Sequence, residues 1–464
     1  MAQRFHTQHF DIVIIGGGPT GVAAAVAAAR NGARALLVEA GPFLGGDLVS
    51  GLPIDGCLNS LGEWIVGGPA RELFDTCQAL GGYIGPLCDW RTMYGVCLDP
   101  EAMKVAVVEV LARHQVPVLL YTFAEDVVTD GRRVAGVVVV NKNQRTLLTA
   151  DLFLDCSGDG DIAVLAGAAC EHGGPEGQFQ PVSLVYRLAG VDFRAYLEFV
   201  RQNPDEFLLG ENPILGKTRA ECAQAAYESG YPFVAVNAKG PMLAEAIRTG
   251  EMFPCAAIFS WPTSLARREV ALNTTRVADV DATDTEALSR VQAELVAQVI
   301  TSMRYVQRRL PGFSASCLAG LAPRIGIRET RRIMGEYVLT ADDVLQGRKR
   351  EDGVAKGGHH VDVHGAGTAQ KRVPIEGGRS YDIPYGCLVP RGLDNVLVAG
   401  RCLSSTREAN GSARVMGTCL AMGQAAGTAA ALCVANGWHD VREVPVARLR
   451  ERLRTQGAVI DGTE

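Results

Sequence analysis

Residues 11–39 read "DIVIIGGGPTGVAAAVAAARNGARALLVE", and three kinds of local order follow one another within this stretch. Residues 12–15 are an apolar run suited to a central parallel strand. Gly16, Gly18 and Gly21, with Pro19 and Thr20 between them, then set a Gly-x-Gly-x-x-Gly spacing before an alanine-rich helix that stops at Gly32. A second strand occupies residues 35–38 and ends in Glu39. Gly16 suits the tight turn, Gly18 lets backbone approach a pyrophosphate, and Gly21 lets the helix pack closely on the sheet. The helix N-terminus, with free N–H groups and the positive end of its dipole, is where that anion rests. Glu39 stands where a carboxylate accepts hydrogen bonds from both ribose hydroxyls, and a 2'-phosphate is repelled there. A glycine triplet alone marks only a turn. Strand, helix, second strand and terminal acid together predict a dinucleotide-binding βαβ unit.

This spacing serves NAD and FAD alike, so the choice rests on the rest of the chain. Directly after Glu39 and Ala40 comes "GPFLGGDL", where Gly45, Gly46 and Asp47 form a second flexible loop able to approach a bulkier cofactor. "DLFLDCSGDGDIAVLAG" (151–167) is a strand running into Ser157, Gly158 and Asp159, and "DNVLVAGRCLSS" (394–405) another running into Gly400 and Arg401. Strands that end in glycine and then a polar residue at three distant points predict one large cofactor, FAD, gripped by the beginning, middle and end of the chain.

At 464 residues, 47% hydrophobic and 21% charged, the chain has the composition of a soluble globular protein of two or three domains. A net charge of -6 without a long basic block speaks against nucleic acid and for a small-molecule substrate. The 13 cysteines are scattered singly without a Cys-x-x-Cys pair, so they read as buried hydrophobes in a reducing compartment. "MAQRFHTQHF" lacks the apolar core of a signal peptide, and the apolar run after Gly21 is broken by Arg30, Asn31 and Arg34. Cytoplasmic residence without a membrane partner is the expectation, and assembly into a homo-oligomer is left open.

Several longer stretches carry a resemblance: "GGPARELFDTCQALGG" (67–82), "DPEAMKVAVVEVL" (99–111), "LDCSGDGDIAVLAGA" (154–168), "RETRRIMGEYVLTADDV" (328–344) and, most specifically, residues 383–432 from "IPYGCLVPRGLDNVLVAGRCLSS" onward. With the glycine fingerprint, the chain resembles, almost end to end, the FAD-dependent oxidoreductase family. The flavin domain of that family is related to those of glutathione reductase and of succinate dehydrogenase and fumarate reductase flavoproteins. The resemblance implies an α/β, Rossmann-like FAD-binding domain, three-layered with a parallel central sheet, and an inserted α+β substrate or cap domain. It also implies that Glu39 holds the adenosine ribose, that Ala124 lies by the adenine, and that Asp159 and the Gly400–Arg401 turn meet the ribityl-pyrophosphate side. Residues 415–431, rich in Gly, Ala and Thr, form a slim helix whose N-terminal turn, with Gly417 and Thr418 and preceded by Gly411 and Ser412, is expected at the flavin. Cys57 and Cys402 are candidate covalent attachment points beside the flavin loops, against the commoner reading as buried cysteines.

The expected organisation is a first flavin-domain part at 1–169, with cap elements within 50–98, a substrate or cap domain at 170–382, a last flavin-domain part at 383–440 and a C-terminal helix at 441–464. No second Gly-x-Gly-x-x-Gly stands in strand-to-helix context, so electrons are expected to come from, or leave to, an external donor or acceptor.

The remaining chemistry concentrates in "KGGHHVDVHGAG" (356–367). If residues 360–364 form a strand, His360, Asp362 and His364 share one face. Metal ligation, structural burial and acid/base or substrate contact are the three readings of that face. No further ligand or supporting signature accompanies it, so no metal is expected and His364, assisted by His360, is the expected acid/base. The resemblance places an Asp-x-His at Asp362 and His364, facing the substrate. His359 and His360 stand where the family has an aromatic residue and proline. Tyr385 is a second acid/base candidate. Arg324, Arg328 and Arg331 fall on one face if their segment is helical, and with Arg414 they are candidates to clamp a carboxylate or enolate. The predicted activity is two-electron dehydrogenation or oxidation of a small polar substrate at the flavin. Reduction of an activated C=C bond and a non-catalytic electron-transfer or assembly role are the alternatives.

Overall fold

The computed structural model describes residues 6–463; residues 1–5, part of the stretch read above for a leader, and residue 464 lie outside it. The apolar strand His6–Ile15 sits inside a seven-stranded sheet. It pairs in parallel with Ala35–Val38 on one side, Ile12 opposite Ala35, and with Arg145–Asp155 on the other, Ile12 opposite Leu152. Val118–Leu119 and Val396–Val398 add further parallel pairings, while Phe123–Asp130 and Arg133–Val140 extend the sheet as antiparallel strands. The sheet is therefore parallel where the loops carry the cofactor motifs and antiparallel at one flank. Ile12, Ile14 and Leu37 on one face, and Val13, Ile15, Leu36 and Val38 on the other, are buried in separate cores, as a sheet covered on both faces requires.

Helices Pro19–Arg30 and Met416–Asn436 cover one face side by side. Their small residues set the spacing: a side chain at Gly423 would collide with the Thr20 carbonyl, and one at Gly427 with that of Ala24. Met416–Asn436 is long and apolar enough to cross a membrane, yet 83% of its most apolar stretch is buried within the fold.

A five-stranded antiparallel sheet, in the order Val234–Asn237, Ala257–Ser264, Glu269–Asn273, Tyr186–Ala189 and Cys317–Leu321, builds a second core with helices Phe193–Gln202, Arg219–Ser229 and Thr285–Arg309. Buried Arg187 joins the two bodies, since its guanidinium meets Glu269 within this sheet at 3.0 Å and Glu101 on helix Pro100–Arg113 at 2.7 Å. The Trp261 indole N–H donates across the same seam to the Gly51 carbonyl at 2.5 Å. The C-terminal helix Val446–Thr455 docks through Leu449 and Leu453.

Two expectations change here. The histidine strand is Val361–His364, paired with Gln370–Val373, so His360 precedes it and alternation does not put it on the face of Asp362 and His364. Arg324 and Arg328 lie in irregular chain bridged at Gly326 to Ser183, and Arg331 opens the strand Arg331–Ile333. The bridge of Gly326 to Ser183 and the pairing of Arg331–Ile333 with Cys170–His172, following Pro323, win over the helical spacing of these charges.

Candidate active site

Between the two bodies runs a cavity of about 770 Å³, within the range of cofactor and substrate sites. One half is walled by the carboxyl ends of the parallel strands. Gly16, Gly18, Pro19, Thr20, Glu39, Ala40, Gly46, Asp47, Ala124, Ser157, Gly158, Asp159, Gly400 and Arg401 all line it. Gly16 has φ +101°, and a Cβ there would lie 2.6 Å from the Cys156 carbonyl carbon, so only glycine makes this turn. Gly18 caps helix Pro19–Arg30 without any side-chain cap, leaving N–H groups of the first turn unclaimed. The Glu39 carboxylate accepts from Gly17 N at 2.7 Å and Gly41 N at 2.6 Å, which ties the end of the second strand to the glycine turn. Arg401 is fixed by the Gly158 carbonyl (3.0 Å), the Ile327 carbonyl (2.6 Å) and Asp159 (2.6 Å). A Cβ on Gly18 meets nothing within 4 Å, and Asp47 Oδ1 is buried without a hydrogen-bond partner, 3.9 Å from Arg324 Nε. Open space against an uncapped helix N-terminus, followed by a carboxylate at the strand end, fits a dinucleotide pyrophosphate and ribose.

Four predicted cofactor residues act from behind this wall. Gly21 packs against the Gly16 carbonyl, Gly45 donates its N–H to Gly17 O at 2.7 Å, and Gly417 and Thr418 pack on the Gly56–Cys57 backbone. The helix N-terminus presents Val415, Met416 and Cys419 to the cavity instead. Cys57 and Cys402 are buried free thiols outside the lining.

The other half is walled by Asp55, Asp89, Phe233, Phe259, Trp261, Arg328, His359, Asp362, His364, Arg372 and Arg414. Asp362 and His364 share a face, as alternation predicts, and the His364 Nε2–H donates to Asp362 Oδ2 at 3.0 Å. A carboxylate can only accept, so Nδ1 of the neutral ring carries the free lone pair. Gln370 donates to Asp362 Oδ1 at 2.8 Å, and Arg372 Nε lies 3.5 Å from the same oxygen. Gln180 accepts from the His364 backbone N–H at 3.1 Å and donates to Glu329 at 2.7 Å, while Arg407 holds Glu329. His359 donates Nδ1–H to the His360 carbonyl at 2.7 Å, which leaves its Nε2 as an acceptor at the cavity wall. His360 stacks behind it at 4.0 Å, both ring nitrogens unpartnered. Tyr385 stands apart from the lining, its hydroxyl donating to the Val441 carbonyl at 2.9 Å. Among the described residues no three His, Cys, Asp or Glu side chains are grouped as metal ligands.

Burial, with Arg328 and Arg414 nearby, pulls His364 down to about 3 despite Asp362. Burial likewise pulls His359 to about 4 and His360 well below its ordinary value. Burial works against the Asp362 carboxylate, but His364 and Arg372 outweigh it and hold it well below the usual range. Arg328 is lowered to about 9 by burial and by Arg414 and Arg276, and it remains a cation at neutral pH. Nε of Arg372 and of Arg414 are buried without hydrogen-bond partners, that of Arg372 within ion-pair distance of Asp362.

These neutral histidines set an acid limit. In the unfolded chain each histidine titrates near ~6.5, so below that pH the unfolded state binds protons that the native state refuses. Stability is predicted to fall as pH drops from about 6.5 toward 4, by about 1.4 kcal/mol per unit for each such histidine. Denaturant midpoints at pH 7 and 5 check this. His359→Gln is expected to flatten the decline, and equal midpoints in the parent protein would exclude it.

A family model described as FAD dependent oxidoreductase matches residues 11–453. Among curated relatives, 42 residues are 55% identical to sarcosine oxidase subunit alpha of Rhizobium meliloti, spanning 9% of this chain and 4% of that protein. A further match, 34% identical over 129 residues, is to thiamine thiazole synthase of Aeropyrum pernix, spanning 28% of this chain and 43% of that protein. The chain thus spans less than half the length of either relative. Similar solved structures include a geranylgeranyl bacteriochlorophyll reductase-like protein from Thermoplasma acidophilum, at 12% identity, TM-score 0.46 and coverage of 97% of this chain and 85% of that one. A flavin-dependent brominase aligns at 12% identity and TM-score 0.48, covering 96% of this chain and 83% of that one.

Proposed function

We propose, from the premise that the chain belongs to the FAD-dependent oxidoreductase family, that it catalyses the two-electron oxidation of a small organic substrate bearing a carboxylate or another anionic oxygen. The observation that carries this reading is the meeting of the Asp362–His364 pair with Arg328, Arg372 and Arg414 on one cavity wall. FAD, held by the glycine turn, Glu39 and the Gly400–Arg401 turn, supplies the two-electron acceptor. Arg414, whose buried Nε–H has no hydrogen-bond partner, and Arg372, whose Nε lies 3.5 Å from Asp362, hold the substrate anion. His364 is neutral at rest and takes the proton that leaves the substrate oxygen or carbon. Asp362 orients the ring and stabilises its protonated form. Phe233, Phe259 and Trp261 exclude water and bear the apolar part of the substrate.

Anaerobic addition of small hydroxy acids, amino acids and matched neutral alcohols and amines to the yellow holoprotein tests this. The flavin is expected to bleach with a carboxylate-bearing compound and not with its neutral counterpart. Bleaching by neutral or cationic compounds alone would defeat the proposal.

A further inference from the structure

Asp55 belongs to none of the motifs above, yet it sits at the seam of the two cavity halves. It ends the two-residue strand Ile54–Asp55, paired with Gly95. The next residue, Gly56, is pressed on the first turn of helix Met416–Asn436, where a Cβ would meet Thr418 Oγ1 at 3.0 Å. Asp55 Oδ1 is sealed from solvent and has no hydrogen-bond partner, although the residue lines the cavity and keeps partial access to it. An ionised carboxylate with one oxygen orphaned in this way is costly, whereas an un-ionised carboxyl can leave its carbonyl oxygen there and turn its O–H to the cavity.

The groups around it favour the un-ionised form. Asp89, from the turn before Tyr94–Leu98, accepts on one oxygen from the backbone N–H groups of Arg91, Thr92 and Met93 at 2.7–2.9 Å and on the other from the Thr92 hydroxyl at 3.3 Å, and its charge opposes a second carboxylate at Asp55. Asp362 on Val361–His364 adds further negative charge, Arg372 on Gln370–Val373 and Arg414 before the long helix oppose it, and the thiols of Cys57 and Cys97 are the remaining titratable neighbours. Burial first, then Asp89, outweighs the two arginines and raises Asp55 well above the ordinary carboxylate range.

We propose that Asp55 is a substrate-contacting residue: an un-ionised carboxyl that donates its O–H to the same anionic oxygen group that Arg372 and Arg414 receive, selecting a carboxylate or enolate. This rests on the function proposed above, because that reading makes this half of the cavity the substrate site. No bond changes at Asp55; its proton is shared in a hydrogen bond between its oxygen and the substrate's. An ammonium group, which has only donors, leaves that O–H without an acceptor. Ionisation of Asp55 at high pH places like charge against the bound anion.

The test uses the holoprotein and benzoate, a planar carboxylate suited to a wall of Phe233, Phe259 and Trp261. At neutral pH the infrared spectrum is expected to contain a carbonyl band of an un-ionised carboxylic acid that Asp55→Asn removes and Asp89→Asn leaves. Benzoate binding, read from the perturbed flavin absorption, is expected to weaken as pH rises in the parent protein. Asp55→Asn, which keeps a neutral donor, should bind within about threefold of the parent and lose that weakening. Asp55→Ala should bind about tenfold more weakly. A band that survives Asp55→Asn, an alkaline weakening that persists in Asp55→Asn, or no flavin response to benzoate overturns the proposal. If the band and benzoate behave as stated while no carboxylate reduces the flavin, Asp55 keeps its role and the oxidation reading fails instead.

Discussion

Gly18→Val is expected to give a folded, colourless protein. At φ -74° and ψ -169° the Gly18 backbone is one that valine adopts, and no protein atom lies within 4 Å of its added Cβ. The protein alone therefore accommodates the side chain. The space it fills, at the uncapped end of helix Pro19–Arg30, is where the pyrophosphate must approach the backbone. Separating the two loses several hydrogen bonds to an anion, and FAD affinity is expected to fall by at least about a hundredfold, equivalent to ~3 kcal/mol. The ratio of flavin to protein absorbance after gel filtration reads the loss, and an unchanged circular dichroism spectrum shows that the fold persists. Full flavin occupancy in Gly18→Val would remove the glycine turn from the cofactor site. Gly16→Val is the contrast: φ is +101° and the neighbour is the Cys156–Ser157 backbone, so that variant should fail to fold rather than fold without flavin.

That contrast also shows why this part of the fold is legible in the sequence. At Gly16 the left-handed φ and at Gly21 the Gly16 carbonyl five residues back are local demands that favour glycine, and Glu39 follows directly from the end of its strand. The histidine stretch is half legible. Alternation pairs Asp362 with His364 correctly because both lie in one strand, and it misplaces His360 because the strand starts one residue later. Which residue then faces the cavity, His359, depends on how the chain enters the hairpin. Arg324, Arg328 and Arg331 carry helical spacing in a segment that tertiary pairing holds irregular or extended, so charge periodicity misled while the cavity still gathers all three. Asp55, Asp89, Phe233, Phe259, Trp261 and Arg372 come from separate neighbourhoods of the chain. Sheet pairing between distant segments brings them together, and none has a local pattern to announce it. Their chemistry could be found only after the two bodies were placed against each other.

Asp362→Asn separates the two tasks assigned to the substrate wall. The amide has the shape of the carboxylate but not its charge. It can offer an N–H where His364 Nε2–H now donates at 3.0 Å, which turns the imidazole to the wrong tautomer, and it cannot stabilise a protonated ring. The rate of anaerobic flavin reduction is expected to fall by roughly 10²–10⁴, the range for removing general base assistance. Arg372, whose Nε is 3.5 Å from Asp362 Oδ1, loses its counter-charge and is freed for an incoming anion. Binding of an anionic substrate should therefore hold or tighten while the chemical step slows, and FAD remains bound, since Asp362 is outside the glycine turn and the Gly400–Arg401 turn. His364→Gln should slow the step by a similar factor, and the double variant by little more than either alone, because the two side chains act as one unit. Stopped-flow reduction of the three variants at several substrate concentrations resolves rate from binding. A loss of only a fewfold in Asp362→Asn, or fully additive losses in the double variant, would move the base away from this pair and toward the bare Nε2 of His359.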